Sequence, residues 1–572
     1  MKKELHFISA GLIFISLSFY FNACTTKSSP DTSSIATDSV TIAKGKDLFG
    51  QNCSACHTFR QDGIGPRLSG LTAEISAEQI KNFIKGPKGI IDAGDERARK
   101  LVERFKTIMP SFDYYTDEQV NSIIAFLHTK KVQERRPEKG DGTELKDPIP
   151  DSIPLSGLVV GLELVAQIPA SSDKPMFTRI TKLAPQPNTG NLFVVDLRGK
   201  LYELQKNQPV VYMDMAKLRP HFINQPGLAT GFGSFAFHPE FAKNGLLYTT
   251  HTEAPGSGKA DFSYADSIPV TVQWVLTEWK TKQPASSPFS GEGRELFRVN
   301  MVTGIHGVQD INFNPFARPG DKEYGLLYIG VGDGGSVEEH YPLPTQKPER
   351  IWGTVVRINP SGRNSDNGKY GIPVDNPFSK TEKGKGLREV YATGFRNPHK
   401  ISWSKAGQMF VGNIGQRNIE SLYLVEPGHF HGWPIREGTF LIRGNIDVVY
   451  ALPADDSIYH VSYPVAQFDH DEGIAMSGGF EYSGTSIPQL TGKFVFGDIN
   501  AGRLFYVEMA DIKLGSQAPI KEWGISMGGA RTTLVELAKY NRADMRFGRD
   551  AKGELYLVMK PDGKVYRLVP GP

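Results

Sequence analysis

The sequence predicts a mainly β molecule, a six-bladed β-propeller, preceded by a small all-α domain. Three observations carry that prediction. A short apolar run led by a glycine recurs six times through the later part of the chain. The composition, 60 glycines and 38 prolines in 572 residues, favours strands and turns over long helices. Before residue 136 the pattern changes: two helix starts of the capping-box type follow the run Gln-Asn-Cys-Ser-Ala-Cys-His-Thr-Phe at 51–59. A chain of this length exceeds one compact core, so two or three domains are expected.

Residues 1–24 read as a targeting segment. Lys2 and Lys3 give a charged head, and Ile8 through Phe21 form an apolar run too short and too near the terminus for a membrane span. The run ends in Phe21-Asn22-Ala23-Cys24, which resembles a bacterial lipobox with Phe21 in place of the usual branched aliphatic residue. Cys24 would then be acylated, and the mature protein exported, periplasmic or at the cell surface, and lipid-anchored. Ordinary cleavage and an uncleaved anchor are the alternatives. Residues 25–39, polar and serine-rich, suit a flexible tether. Lys and Arg number 65 against 62 Asp and Glu, with no block of like charge, which argues against a nucleic-acid tail or a polybasic membrane patch.

Residues 40–135 carry the Cys-x-x-Cys-His run. It is the signature of haem c held through Cys53 and Cys56, with His57 as a ligand to the iron. A disulfide between Cys53 and Cys56 is the competing reading, and the immediate His57 argues against it. A sixth ligand from methionine suits an electron carrier, because a thioether raises the reduction potential. Met109 is the candidate, the alternative being a buried packing methionine. It precedes a helix predicted from Thr116 as cap, Gln119 as its box partner, and the stripe Val120, Ile123, Ile124 and Leu127. An earlier helix starts likewise at Ser76 and Gln79 and continues through Ile80, Phe83 and Ile84; Gly65-Pro66-Arg67-Leu68 lies between the haem run and that helix. Together these pieces resemble a small monohaem cytochrome c.

A charged, proline-bearing linker is expected over 136–156 and the propeller over 157–572. The repeated units begin at Gly190, Gly245, Gly325, Gly407, Gly492 and Gly553, most of them preceded by another short strand. Their spacing leaves room for a four-stranded blade each. Ligands of such a fold are expected in loops around the central channel.

Ser234-Phe-Ala-Phe-His-Pro, His306-Gly-Val-Gln-Asp-Ile-Asn-Phe-Asn-Pro, Gly332-Asp-Gly-Gly, Val356-Arg-Ile-Asn-Pro, Gly394-Phe-Arg-Asn-Pro and Gly478-Gly-Phe-Glu-Tyr follow one another in the propeller region. In that order they resemble the glucose/sorbosone dehydrogenase family, the soluble aldose dehydrogenases that use pyrroloquinoline quinone (PQQ). The resemblance implies His306 as general base, Arg396 as the cation over the quinone and Asn397 as an orienting amide. It also implies a Ca²⁺ ion held partly by the backbone carbonyls of Gly415 and Gln416. Imidazole titrates near neutrality, which suits the first role; a guanidinium suits the second. The structural alternatives are a packed His306 and an Arg396 paired with a carboxylate.

Several positions depart from the family pattern. Ile305 stands where a carboxylate is expected, no pocket glutamine is evident over 227–233, and the region 497–502 lacks a lysine, with Asn500 nearest. Arg542 and Arg546 lie near the C-terminal cofactor arginines but in another register. Asp469, His470, Asp471 and Asp498 are further channel candidates near predicted strand ends.

The function this implies is a quinohaemoprotein oxidoreductase. It would oxidise an aldose or related alcohol at PQQ and pass electrons through haem c to a respiratory acceptor. The alternative is a non-enzymatic binding propeller tethered to an electron-carrying cytochrome.

Overall fold

The computed structural model describes residues 32–53, 57, 59, 65–105, 108–131, 143–226, 229–341, 348–382 and 385–572. The targeting segment with Cys24, residues 25–31 of the tether and Cys56 lie outside the described residues.

The N-terminal domain is helical. Its helices span Ser39–Asn52, Leu71–Glu74, Ala77–Lys85, Pro87–Asp92, Glu96–Phe105 and Asp117–His128. Both expected capping boxes form: Ser76 with Gln79, and Thr116 with Gln119, each satisfying two backbone N–H groups that a helix start leaves without partners. The last helix buries Val120, Ile123, Ile124 and Leu127 against Phe49, Ile80, Ile84 and Phe112. Each such side chain contributes roughly 1.5–3 kcal/mol of transfer free energy. Gly45 lets the first helix approach the last, since a Cβ there would fall 1.8 Å from the Ser122 carbonyl oxygen.

The rest is mainly β and propeller-like. Four separate four-stranded antiparallel sheets follow in chain order. The first is Ile180–Pro185, Leu192–Asp196, Lys200–Gln205 and Gln208–Asp214; the second is Phe232–Phe237, Leu246–Glu253, Val272–Lys280 and Glu292–Met301. The third is Asp310–Phe313, Leu327–Val331, Thr354–Ile358 and Val390–Thr393; the fourth is Asn397–Trp403, Met409–Ile414, Ile419–Val425 and Ala466–Asp469. The first strand of each sheet lies beside the first strand of the next, which sets these strands around a common centre.

The sequence predicts six separate sheets; the structure shows these four, a small three-stranded sheet of Arg436–Glu437, Phe440–Arg443 and Asn445–Tyr450, and one continuous nine-stranded sheet. The cause is Leu155–Gln167, which pairs parallel with Lys521–Met527 on one side and antiparallel with Lys564–Val569 on the other. It thus joins the two C-terminal strand groups and ties the start of the domain to its end. The repeat itself is legible in the backbone. Gly190, Gly245, Gly325, Gly407, Gly492 and Gly553 all take positive φ, between 65° and 86°, in the turn leading to the second strand of a group. A side chain is strained in that conformation, which is why glycine leads each unit.

The expected linker is held where it is described. Leu145 N–H donates to the Val449 carbonyl, Ile149 N–H to Asp469 Oδ2 and Ile153 N–H to Glu472 Oε1, at 2.9, 3.1 and 3.1 Å. The first propeller strand begins at Leu155, two residues before the expected boundary.

Candidate functional site

Two cavities carry the candidate residues. The first lies in the helical domain. It is walled mainly by apolar side chains, among them Phe49, Leu68, Ile80, Phe83, Leu101 and Val102, and it brings together Cys53, His57 and Met109. The Ser39–Asn52 helix ends at Cys53, whose carbonyl accepts from His57 N–H at 3.0 Å. His57 Nδ1–H donates to the Pro66 carbonyl at 2.8 Å. That bond leaves the lone pair on Nε2, the tautomer a metal-ligating imidazole needs. Gly65 lies flat against the ring: a Cβ would stand 2.5 Å from His57 Cε1. The Gly-Pro pair that follows the haem run therefore has two physical tasks, close approach and orientation. An apolar pocket with a thiol, an imidazole and a thioether on its wall fits a haem.

The second cavity lies among the inner strands of the propeller. His306, Arg396, Asn397, Gly415, Gln416 and His470 all line it, as do Arg542 and Arg546. Asp469, Asp471, Asp498 and Asn500 do not. Asp498 is buried and accepts from Ile474 and Ala475 N–H at 3.0 Å each. Asp469 faces the linker at Ile149.

His306 has φ of +50°, an uncommon conformation for a residue with a side chain. The turn after Val331 supports it. Gly334 N–H donates to the His306 carbonyl at 3.1 Å, and a Cβ on Gly332 would lie 2.2 Å from that oxygen. His306 Nδ1–H donates to Asp333 Oδ1 at 2.8 Å. Asp333 also accepts from Gly335 N–H at 2.9 Å and from Trp433 Nε1–H at 2.9 Å. Burial works to raise its pKa, but His306, Arg396 and the Gly335 N–H outweigh it, so the carboxyl is held below its ordinary value. An ionised Asp333 fixes the ring and its tautomer, leaving Nε2 to accept a proton at the cavity wall.

Arg396 is held by four groups. Nε–H donates to Gln416 Oε1 at 2.7 Å, Nη1–H to the Gly415 carbonyl at 2.5 Å, Nη2–H to Glu338, and the guanidinium lies 5.9 Å from the Trp433 ring centre. The two carbonyl-bearing residues implied as Ca²⁺ ligands are thus both partners of Arg396, Gly415 through its backbone oxygen and Gln416 through its side chain. Next to it, Asn397 Oδ1 is buried with no hydrogen-bond partner among the described residues. A buried acceptor of that kind costs about 1–3 kcal/mol unless a donor reaches it.

The sequence did not reveal the cavity's charge. Six cations line it, Lys182, Arg396, Lys400, Arg542, Arg546 and Lys560, against three carboxylates, Asp310, Glu338 and Asp544. Lys182 Nζ donates to Asp310 Oδ1, the Ile311 carbonyl, Asn312 Oδ1 and Ser234 Oγ, at 2.8–3.1 Å. Burial pushes Lys400 down to about 8 and Lys560 down to about 7; Asp310 and Asp544 oppose it, while neighbouring cations add to it. The available signal was a lysine inside an apolar strand, as in Ile-Thr-Lys-Leu-Ala at 180–184 and Pro-His-Lys-Ile-Ser at 398–402. Gln309, also on the wall, supplies an amide that was not evident over 227–233. His399, by contrast, is a structural histidine: it contacts the Met476 carbonyl at 2.6 Å, and burial holds it neutral, down to about 3.

Residues 177–527, more than half the chain, match the family model described as Glucose / Sorbosone dehydrogenase, and residues 42–131 match that for Cytochrome c. The chain is 25% identical over 397 residues to HIPL1 protein of Arabidopsis thaliana, covering 59% of this chain and 53% of that one. It is 23% identical over 254 residues to Quinoprotein glucose dehydrogenase B of Acinetobacter calcoaceticus, covering 42% and 47%. It therefore spans about half the length of the curated relatives it matches. Among solved structures, the apo-form of the soluble aldose sugar dehydrogenase from Escherichia coli aligns with a TM-score of 0.49 at 18% identity, over 72% of this chain and all of that one. By the extent of the propeller match, the chain belongs to the glucose/sorbosone dehydrogenase family, and it carries a cytochrome c domain at its N-terminal side.

Proposed function

We propose that the protein is a quinohaemoprotein dehydrogenase that oxidises an aldose or related alcohol in the propeller cavity and delivers the electrons to haem c. The observation that carries this reading is the His306–Asp333 pair, set in a cavity with three more cations than carboxylates. PQQ is a tricarboxylate, so the excess of positive charge fits it. Arg396, Arg542, Arg546 and Lys560 would hold its carboxylates and quinone oxygens, and the buried Asn397 Oδ1 would accept from it or from substrate. When bound, PQQ supplies a two-electron acceptor for the hydride of the carbinol carbon.

The remaining steps belong to the chain. His306 Nε2 takes the hydroxyl proton of the substrate, and Asp333 stabilises the imidazolium that results. For a ligand to engage Arg396, its ion pair with Glu338 must loosen, which makes Glu338 a placeholder for an incoming anion. Ca²⁺, if bound, would be held partly by the backbone carbonyls of Gly415 and Gln416, and the Gly415 carbonyl would then have to give up its bond to Arg396. Cys53 and Cys56 would hold haem c, with His57 and Met109 as ligands to its iron, and the final acceptor would be a respiratory carrier.

The propeller is read as six-bladed, the nine-stranded sheet being two blades joined along Leu155–Gln167. Support comes from the six glycine turns. Export and lipidation at Cys24 complete the reading; metabolic fatty-acid labelling that persists in Cys24→Ser would remove that part.

Calorimetry of the haem-loaded protein with PQQ and Ca²⁺ tests the cofactor assignment. Stoichiometric binding, weakened about tenfold or more in Arg396→Ala, is the expected result. No binding heat in the unaltered protein would favour the alternative of a binding propeller, in which the Arg396–Glu338 pair is a permanent brace.

A further inference from the structure

One short piece of chain separates the two cavities. Tyr540 and Arg542 line the cavity that holds His57 and Met109, and Arg542 also lines the propeller cavity. Between them, Asn541 Nδ2–H donates at 3.1 Å to the carbonyl of Ile108, the residue next to Met109. The segment is pinned from the propeller side: Ala543 N–H donates to the Asn500 carbonyl at 2.8 Å, and Met545 N–H to the Ile499 carbonyl at 3.1 Å. Two cation–π contacts fasten the domains to each other, Lys174 with Tyr114 at 4.8 Å and Arg417 with Phe105 at 5.7 Å.

We infer that Tyr540–Arg542 is the electron contact between the propeller cavity and the haem cavity, with Asn541 a positioning residue for the Met109 loop. The inference rests on the proposed function. Electron tunnelling falls off steeply across empty space and more gently through bonded atoms. From the Arg542 wall to Met109 the route runs through the backbone to Asn541, across one hydrogen bond to Ile108, and along the chain to the neighbouring residue. Oxidising a hydroxyl to a carbonyl releases two electrons and two protons. The protons leave through His306 and solvent; the electrons cross the segment singly, the first to the ferric haem and the second once a one-electron oxidant such as ferricyanide has reoxidised it.

The test compares unaltered protein, loaded with haem, PQQ and Ca²⁺, with Asn541→Leu and Tyr540→Leu. Two rates are read on the same substrate: reduction of the haem by stopped flow, and turnover with a phenazine dye that takes electrons from the propeller directly. The expected result is haem reduction slowed about tenfold or more while dye-linked turnover stays within about twofold. A third readout needs no quinone: in the ferric protein, Asn541→Leu lowers the pH at which the methionine-to-iron absorption band is lost. Equal haem-reduction rates in all three proteins overturn the inference. So does a parallel fall in both rates, which would make the segment a support of the propeller alone. If the unaltered protein shows dye-linked turnover but reduces no haem, the dehydrogenase reading survives and the contact does not. If dye-linked turnover is missing altogether, the proposed function fails, and the pH titration still decides whether Asn541 holds the Met109 loop.

Discussion

His306 and Asp333 stand 27 residues apart in sequence and 2.8 Å apart in space, and the proposed chemistry depends on that meeting. Removing the base in His306→Ala is expected to lower kcat by about 10²–10⁴-fold. Asp333→Asn should cost about 10²-fold or more at unchanged haem content, because an amide no longer enforces the Nδ1–H tautomer. Steady-state kinetics alongside a haem assay check both, and unchanged kcat in either variant contradicts the assignment. In the other cavity, Gly65→Ala sets a methyl against the His57 ring, so the yield of covalent haem should fall; an undiminished yield would show that the ring can move aside. His306 and Gly332-Asp-Gly-Gly were both legible as motifs. Their partnership was not, because sequence separation hides a contact made between the ends of neighbouring strands. Lys182 and Lys400 were passed over for a related reason: inside apolar strands their meaning depends on what the opposite sheet presents.

At the scale of elements, the glycine repeat is what the sequence displayed most clearly, because a positive-φ turn admits few other residues. The capping boxes at Ser76 and Thr116 were equally plain, since their partners lie three residues away. Strand Leu155–Gln167 was not, as its neighbours come from the far end of the chain and nothing local announces them. The docked linker adds a titration. Burial raises the Asp469 carboxyl to about 6, against the donors Ile149 N–H and Asp471 N–H, which lower it. A carboxyl with a raised folded pKa favours the fold while it is protonated. Its stabilising contribution is full below the ordinary carboxylate range and is lost as pH rises from about 4 to about 6. Asp469→Asn should therefore raise Tm at pH 7 and flatten its change across that window. A lower Tm at pH 7 would show that the charged form is the one the linker requires.

On the scale of the whole molecule, strands of three sheets and the segments beside them place six cations around one cavity, and none of the individual motifs reveals this sum. Lys560, pushed down to about 7 by burial, is largely uncharged at pH 8. A bound polyanion raises its pKa again, so binding at pH 8 should take up protons and the measured heat should depend on the buffer's ionisation enthalpy. Buffer-independent heats would place the anion away from Lys560. The two domains meet where both cavities share Arg542, which under the proposed function would give an attached haem a reason to be part of this chain.

The most direct measurement is the absorption spectrum of the haem. The protein is prepared with haem attached and oxidised, supplied with PQQ and Ca²⁺, and followed as aldoses and polyols are added in turn. Reduction of the haem that requires both PQQ and one class of substrate is the predicted result. A haem that stays oxidised with every sugar, in protein shown to have bound PQQ, would contradict the account.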